Sequence, residues 1–269
     1  MCTVSIIPLK PRSLHLADRV PGGTGFRVVC NRDEIRSRAP SAAPKWRAIE
    51  RAGVPGARAM WPMDMEAGGT WIAAAEHGLV LSLLNLNLEP PLDMKGVRGL
   101  KSRGLVIPAL IGATDTEDAM RRLRRMTLKS FAPFRLVAAD AIAGELRIAE
   151  ARWDRREIKV TTRMSAPACF VSSGLGDSLV TPRLGLFEGM VTGSHEDAER
   201  AQDSFHRHTW TERPEVSVLM SRADARTVSV TTIEAVPDER GLWDMTMDYE
   251  AIREDAVIQT GVRRAAVVR

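Results

Sequence analysis

Aromatic side chains make up only 5% of the 269 residues, and Tyr249 is the single tyrosine, which leaves little from which to build a platform for stacked bases. Charge points the same way: 38 Lys and Arg against 34 Asp and Glu, a net +4, is too mild to imply a nucleic-acid partner. Cysteine is limited to Cys2, Cys30 and Cys169, an odd number at spacings that match neither a disulfide framework nor a zinc site, so reduced thiols in a cytosolic setting are expected. His15 and His77 stand alone, and His206 and His208 are two residues apart. On a helix that spacing points the two rings away from each other, whereas a zinc-binding helix places its histidines four apart. No metal, no cofactor and no Cys–His pair are therefore expected. No apolar run reaches the roughly 20 residues of a membrane span. Pro8, Lys10, Pro11 and Arg12 interrupt the N-terminal apolar stretch early, before it could act as a signal peptide. A cytoplasmic protein without a transmembrane segment is the expectation, and no oligomeric state is legible.

What is present is an ordinary globular mixture, 44% hydrophobic and 27% charged, sufficient for a sizeable core. No compositional break marks a linker, so residues 1–269 are expected to form one domain. Cys2 to Ile7 and Phe26 to Cys30 alternate like strands, separated by a segment whose cluster Pro21-Gly22-Gly23-Thr24-Gly25 precedes a strand and so reads as a turn, not a phosphate loop. Residues 39–55, rich in Pro, Ala and Arg, read as a loop carrying Trp46. Ile72 to Ala75 and the apolar run Leu79 to Asn85 fit strands, the second buried on both faces. Asn85 to Gly99 reads as an exposed rim loop. Ser102 is expected to cap a helix running to Ile111, and Thr116 opens another with acidic residues in its first turn. The arginines of Arg121-Arg122-Leu123-Arg124-Arg125 spread around that helix and read as a solvated face.

Strands return at 134–140, 145–153, 157–163 and 168–173 as an antiparallel meander, then helices at 181–191 and 194–210. A final hairpin is expected from 216–222 and 227–236. Hairpins outnumber helical crossovers, which predicts an α+β layered fold.

The chemistry concentrates at Cys2. Removal of Met1, expected before a small residue, would leave one residue with both a thiol and a free α-amine. The amine titrates at about 7.7–8.0 and the thiol at about 8.5, so nucleophile and base would sit together. The second strand carries Asn31-Arg32-Asp33-Glu34 back towards that terminus.

These residues carry a resemblance. Met1-Cys2, Asn31-Arg32-Asp33-Glu34, Asp64-Met65-Glu66, Gly68-Gly69-Thr70-Trp71-Ile72, Leu83-Leu84-Asn85, Phe134 to Asp140, Thr181-Pro182 and Arg226-Thr227, in that order, resemble the NRDE family of transport-and-Golgi-organization proteins. The resemblance implies a fold of the N-terminal-nucleophile hydrolase type, an αββα sandwich of two antiparallel sheets covered by helices. It also implies amide-bond chemistry in which a Cys2 thiolate attacks a carbonyl, an acyl-enzyme forms and water releases it. Arg32 would lower the thiol pKa, Asp33 would hold the α-amine, Asn85 would donate to the oxyanion, and Arg226 would close the site beside Thr227 and Ser229. Asn31, Glu34, Trp71, Ser173 and Gly174 would line the substrate pocket. One departure is visible: where relatives carry a Ser-Asn pair, this chain has Ser172-Ser173-Gly174, leaving a Gly174 backbone N–H as the replacement donor.

Two functions follow as expectations. One is an N-terminal cysteine amidohydrolase or acyl-transfer enzyme acting on a C–N bond of a small amide or acylated substrate. The other is a non-catalytic protein that binds and traffics haem or acyl-coenzyme A and lipid on the same fold. No haem-ligand pair can be named from the residues.

Overall fold

The structure, a computed structural model, describes residues 2–9, 25–93, 97–142, 144–164, 167–192, 197–238 and 240–253. Met1, the glycine cluster before Gly25 and the tail from 254 lie outside them. Twelve strands are described: β1 Cys2–Pro8, β2 Phe26–Ile35, β3 Ala42–Ala48, β4 Arg58–Met63, β5 Ile72–Ala75, β6 Val80–Asn85, β7 Phe134–Ile142, β8 Glu145–Trp153, β9 Ile158–Met164, β10 Ala168–Val171, β11 Ala225–Pro237 and β12 Trp243–Ala251. The α-helices are α1 Val106–Leu110, α2 Thr116–Arg125, α3 Pro182–Phe187 and α4 Ala198–His206.

All named pairings are antiparallel. The seven strands β3 to β9 run side by side in chain order as one sheet, and the second has the order β10-β1-β2-β11-β12. The strand period of two explains the layering. Cys2, Val4 and Ile6 of β1 and Phe26, Val28 and Cys30 of β2 meet Ile72, Ala74, Val80 and Leu84 in the core between the sheets. The alternate residues Leu79, Leu81 and Leu83 face α1 and α2 in a second core with Val106, Ile107, Leu110, Met120 and Leu123. On the other side Ile7 packs with Phe187, Phe205 and Val218 under α3 and α4. The result is the expected four-layer αββα sandwich. Because β1 is covered on both faces and paired on both edges, its first residue is held in the interior.

Local polar groups set the helix boundaries. Asp115 accepts from the Asp118 N–H and starts α2, and Asp197 does the same for Arg200 at α4. Arg121 and Arg122 turn back onto Asp118 while Arg124 and Arg125 face solvent, so the basic end of α2 is a solvated face.

Three expectations change. Residues 42–48 form β3, not a loop. As an edge strand with a partly open face it needs no apolar alternation, and that hid it. The helix expected over 194–210 spans Ala198–His206 among the described residues. Of the hairpin expected from 216–222 and 227–236 only the turn end forms, through the antiparallel bridge Ser221–Arg226 with Arg222 N–H donating to Ala225 O and Thr227 N–H to Met220 O; Leu219 N–H donates to His208 O instead, and β11 makes its full-length hairpin with β12.

Candidate active site

Strand register brings the chemistry together. Cys2 lies opposite Arg32 and Thr3 opposite Asn31 in the β1–β2 pair, while Thr227 lies opposite Asp33 across a bulge in β11. The start of β1 opens into a cavity of about 390 Å³ whose wall includes Cys2, Arg32, Asp33, Glu34, Asp64, Trp71, Asn85 and Arg103.

Cys2 is 4% exposed. Its backbone nitrogen donates to Ser172 Oγ at 3.2 Å, and its carbonyl accepts from the Ser172 N–H. With Met1 attached this nitrogen is a peptide N–H, and it becomes the α-amine only when Met1 is removed. The thiol is lowered to about 7: a hydrogen bond from the Cys30 thiol is the largest cause, burial opposes it, and Arg32 assists against Asp33. Cys30, as the donor, is pushed well above its ordinary value. The lowering expected of Arg32 thus comes chiefly from Cys30, which the strand period puts on the same face of β2 as Arg32. Replacing Cys30 with alanine is expected to raise the pH midpoint of Cys2 alkylation well above 7, since burial then acts without its main opponent. A rate–pH profile with iodoacetamide measures it, and an unmoved midpoint removes Cys30 from the site.

Arg32 is fixed from three sides. It donates to Ser41 Oγ at 2.6 Å, Asp64 Oδ2 at 2.5 Å and Glu34 Oε2 at 3.4 Å, and its guanidinium lies 4.1 Å from the Trp71 ring centroid. Asp64 is the hub of this arrangement. Its Oδ1 accepts the Glu66 and Ala67 N–H groups, and its Oδ2 also takes Arg38 at 2.9 Å. Burial would raise its carboxyl, but the Ala67 N–H and the two arginines outweigh burial and hold it below the ordinary range.

Asp33 is almost fully buried. Its Oδ1 accepts from Thr227 Oγ1 at 2.7 Å and its Oδ2 lies 3.7 Å from Arg183 Nη1. Burial raises this carboxyl above its ordinary value, while Arg183 and Thr227 pull it down. Arg183 itself is 1% exposed and also donates to Thr3 Oγ1 and to the Val216 carbonyl. In the sequence its only signal is its place directly after Thr181-Pro182.

Asn85 ends β6 half-exposed in the cavity, and its side-chain amide has no hydrogen-bond partner among the described residues. The remaining expected site residues lie elsewhere. Asn31 faces away from the cavity: its Nδ2 donates to the carbonyls of His206 and Val218, so its Oδ1 accepts from His206 Nδ1 at 2.7 Å. Burial, with Arg27, Arg207 and Arg183 nearby, keeps His206 neutral. Its Nε2 therefore accepts from Ser5 Oγ at 2.6 Å. The distances imitate a Ser–His–Asn relay, but Ser5 is fully buried and the chain serves to pin α4 to β1 and β2. Arg226 gives Nη1 to the Ile252 carbonyl and is not in the cavity wall. Ser173 donates its N–H to Asp177 Oδ1 and accepts the Leu175 N–H. Gly174 lines a neighbouring cavity of about 410 Å³ instead. Among the described residues no cluster of three His, Cys, Asp or Glu side chains is placed to hold a metal ion, and no helix is long and apolar enough to cross a membrane.

A two-sheet sandwich that opens on the first residue of a central strand has the architecture of the N-terminal-nucleophile hydrolases. A Caenorhabditis elegans N-acylethanolamine-hydrolyzing acid amidase ortholog is similar in structure at 10% identity, covering 93% of this chain and 100% of that one with a TM-score of 0.52, which shows the fold. Penicillin V acylase from Agrobacterium tumefaciens matches at 12% identity over 97% of this chain and 89% of its own, TM-score 0.45. The C2A mutant of conjugated bile acid hydrolase from Clostridium perfringens matches at 9% over 93% and 92%, TM-score 0.46. No curated protein matches by sequence. The family model for Transport and Golgi organisation 2 matches residues 21–259, and the chain belongs to that family.

Proposed function

We propose that the protein is an N-terminal cysteine hydrolase that cleaves a C–N bond of a small acylated amide through Cys2. The observation that carries the reading is the Cys2 thiol itself: it lies in a cavity wall, lowered to about 7, on the residue that would also bear the α-amine.

Removal of Met1 turns the nitrogen held at Ser172 Oγ into a primary amine, able to accept the thiol proton at neutral pH. The thiolate attacks the substrate carbonyl, and negative charge develops on the oxygen. The unengaged amide of Asn85 is the wall donor suited to that oxyanion, a contribution worth about 3 kcal/mol in comparable sites. Collapse expels the amine, which takes the proton from the α-ammonium and leaves a thioester on Cys2. Water, deprotonated by the same amine, then releases the acid. Asp33 keeps the ammonium form favourable by charge, and its own fixation by Thr227 and Arg183 stops it from moving with each cycle. The fold of the amidase from C. elegans is in keeping with this assignment.

The carrier reading, with haem or acyl-coenzyme A as the ligand, has no specific observation behind it; among the described residues the wall of the Cys2 cavity offers neither His nor Met as a haem ligand. The test is an intact-mass measurement of purified protein incubated with a panel of acyl amides and activated acyl esters. The expected outcome is loss of Met1, a single acyl adduct on Cys2 and free amine in solution. A chain that retains Met1 quantitatively and acquires no adduct sinks the proposal.

A further inference from the structure

The Cys2 cavity contains one guanidinium that the proposed chemistry leaves unused. Arg103 lies on the turn Arg103–Leu105 that leads into α1, and that turn is rigidly set. Ser102 Oγ accepts the Gly104 N–H, and the Gly104 carbonyl accepts the Thr70 N–H at 3.0 Å. A Cβ on Gly69 would lie 2.4 Å from the Gly104 carbonyl carbon, so Gly69 is what lets the two loops meet. The Arg103 backbone is thereby fixed to the segment carrying Trp71.

The carboxylates of the wall are already committed. Asp64 binds Arg32 and Arg38, Glu34 binds Arg32 and the Ile35 N–H, and Asp33 binds Thr227 beside Arg183. Among the described residues Arg103 has no carboxylate at ion-pair distance. Its one hydrogen bond runs from Nη1 to the Pro133 carbonyl at 3.1 Å, leaving Nε and Nη2 open. Burial pulls its pKa down against the opposing charges of Glu34 and Cys2, yet a guanidinium stays charged at any working pH. Beside Arg32 and Arg103, exposed Lys101 is a third cation in the same wall. Arg103 also lines the neighbouring cavity, where Leu86, Pro133 and Leu175 provide apolar wall, so it stands where the two meet. A half-buried, fixed guanidinium with open donors is a fork for a carboxylate, sulfonate or phosphate.

We infer that Arg103, assisted by Lys101, is a specificity-determining residue that selects acyl amides bearing an anionic group near the scissile bond. This rests on the hydrolase reading of the site, and it narrows the substrate class to anionic amides over neutral ones of equal size.

The first measurement needs no turnover. Cys2 is alkylated with iodoacetate or with iodoacetamide, the thiolate sulfur bonding to the CH2 carbon and displacing iodide into solvent in each case, and the ratio of the two rates is taken for wild type, Arg103→Gln and Arg103→Lys. The ratio is expected to fall about tenfold or more in Arg103→Gln, in line with one lost charge-assisted contact, and to recover partly in Arg103→Lys and shrink with salt. An equal ratio in wild type and a folded Arg103→Gln overturns the inference. The second measurement is calorimetric binding to Cys2→Ala of hexanoylglycine against hexanoylglycinamide, and of a dicarboxylic monoamide against its methyl ester. Tighter binding of either anion, lost on adding Arg103→Gln, supports the inference and shows on which side of the amide the charge belongs. Binding of each pair without preference overturns it. Anion preference without any Cys2-dependent hydrolysis defeats the hydrolase reading alone.

Discussion

Cys2→Ala is expected to abolish amide turnover, by on the order of 10⁴-fold or more, while leaving the sandwich folded. Alanine removes the sulfur from the end of β1 but keeps the backbone contacts to Ser172, and the lost burial is a small part of the core between the sheets. Thermal or urea unfolding should move by no more than about 2 kcal/mol. The discriminating feature is the split: ligand binding persists and the covalent step disappears. Activity surviving in the alanine variant would assign the cavity another chemistry. Alkylation adds a pH test with a definite sign. The Cys2 thiol is lowered to about 7, so its labelling rate should climb to a plateau above neutrality and fall as pH drops through 7. Cys169, raised to about 12 by burial, should stay silent over the same range.

The second large effect belongs to Arg183→Met, which is expected to destabilise the protein by about 3–5 kcal/mol, because it leaves a buried carboxylate without its cation. Methionine keeps much of the volume but cannot reach Thr3, Val216 or Asp33 with a charge. Asp33 already has a carboxyl raised by burial, and loss of Arg183 raises it further. A carboxyl whose folded pKa lies above its unfolded value stabilises the fold fully below the unfolded pKa and loses that contribution as pH rises through the folded one. Arg183→Met should therefore recover part of its stability on acidification towards the raised Asp33 pKa. Combining it with Asp33→Asn should cost less than the two changes added separately, by about 1–3 kcal/mol. Denaturant melts at neutral and mildly acidic pH decide both points, and strict additivity would mean that the pair does not interact.

Legibility in the sequence followed locality. The sandwich could be read because β1, β2, β5, β6 and the meander from β7 to β9 show their burial as alternation or continuous apolar runs. The strand β3 could not, since at a sheet edge Lys45, Trp46 and Arg47 satisfy the same backbone without an apolar stripe. Cys2, Arg32 and Asp33 were visible because one pair of strands supplies them. Asn31 was assigned to the wrong face, although alternation alone puts it opposite Arg32, on the side of α4. Arg183 and Arg103 are single arginines on short helical segments, and sequence offers no way to tell a buried counter-ion or an open fork from a solvated charge. Their roles depend on packing between segments far apart in the chain.

The burial of the Cys2 nitrogen against Ser172 has a practical meaning for anyone handling the protein. On the proposed mechanism, keeping that nitrogen acylated, whether through a retained methionine, an affinity handle fused ahead of Cys2 or a fusion partner, leaves an amide with no usable lone pair where the base would be. Such a preparation would retain the hydrogen bond to Ser172, melt normally and scatter as a folded particle, yet have no internal acceptor for the thiol proton. Handles therefore belong at the other end of the chain, and a self-cleaving leader that exposes cysteine offers a way to switch the proposed chemistry on at a chosen moment.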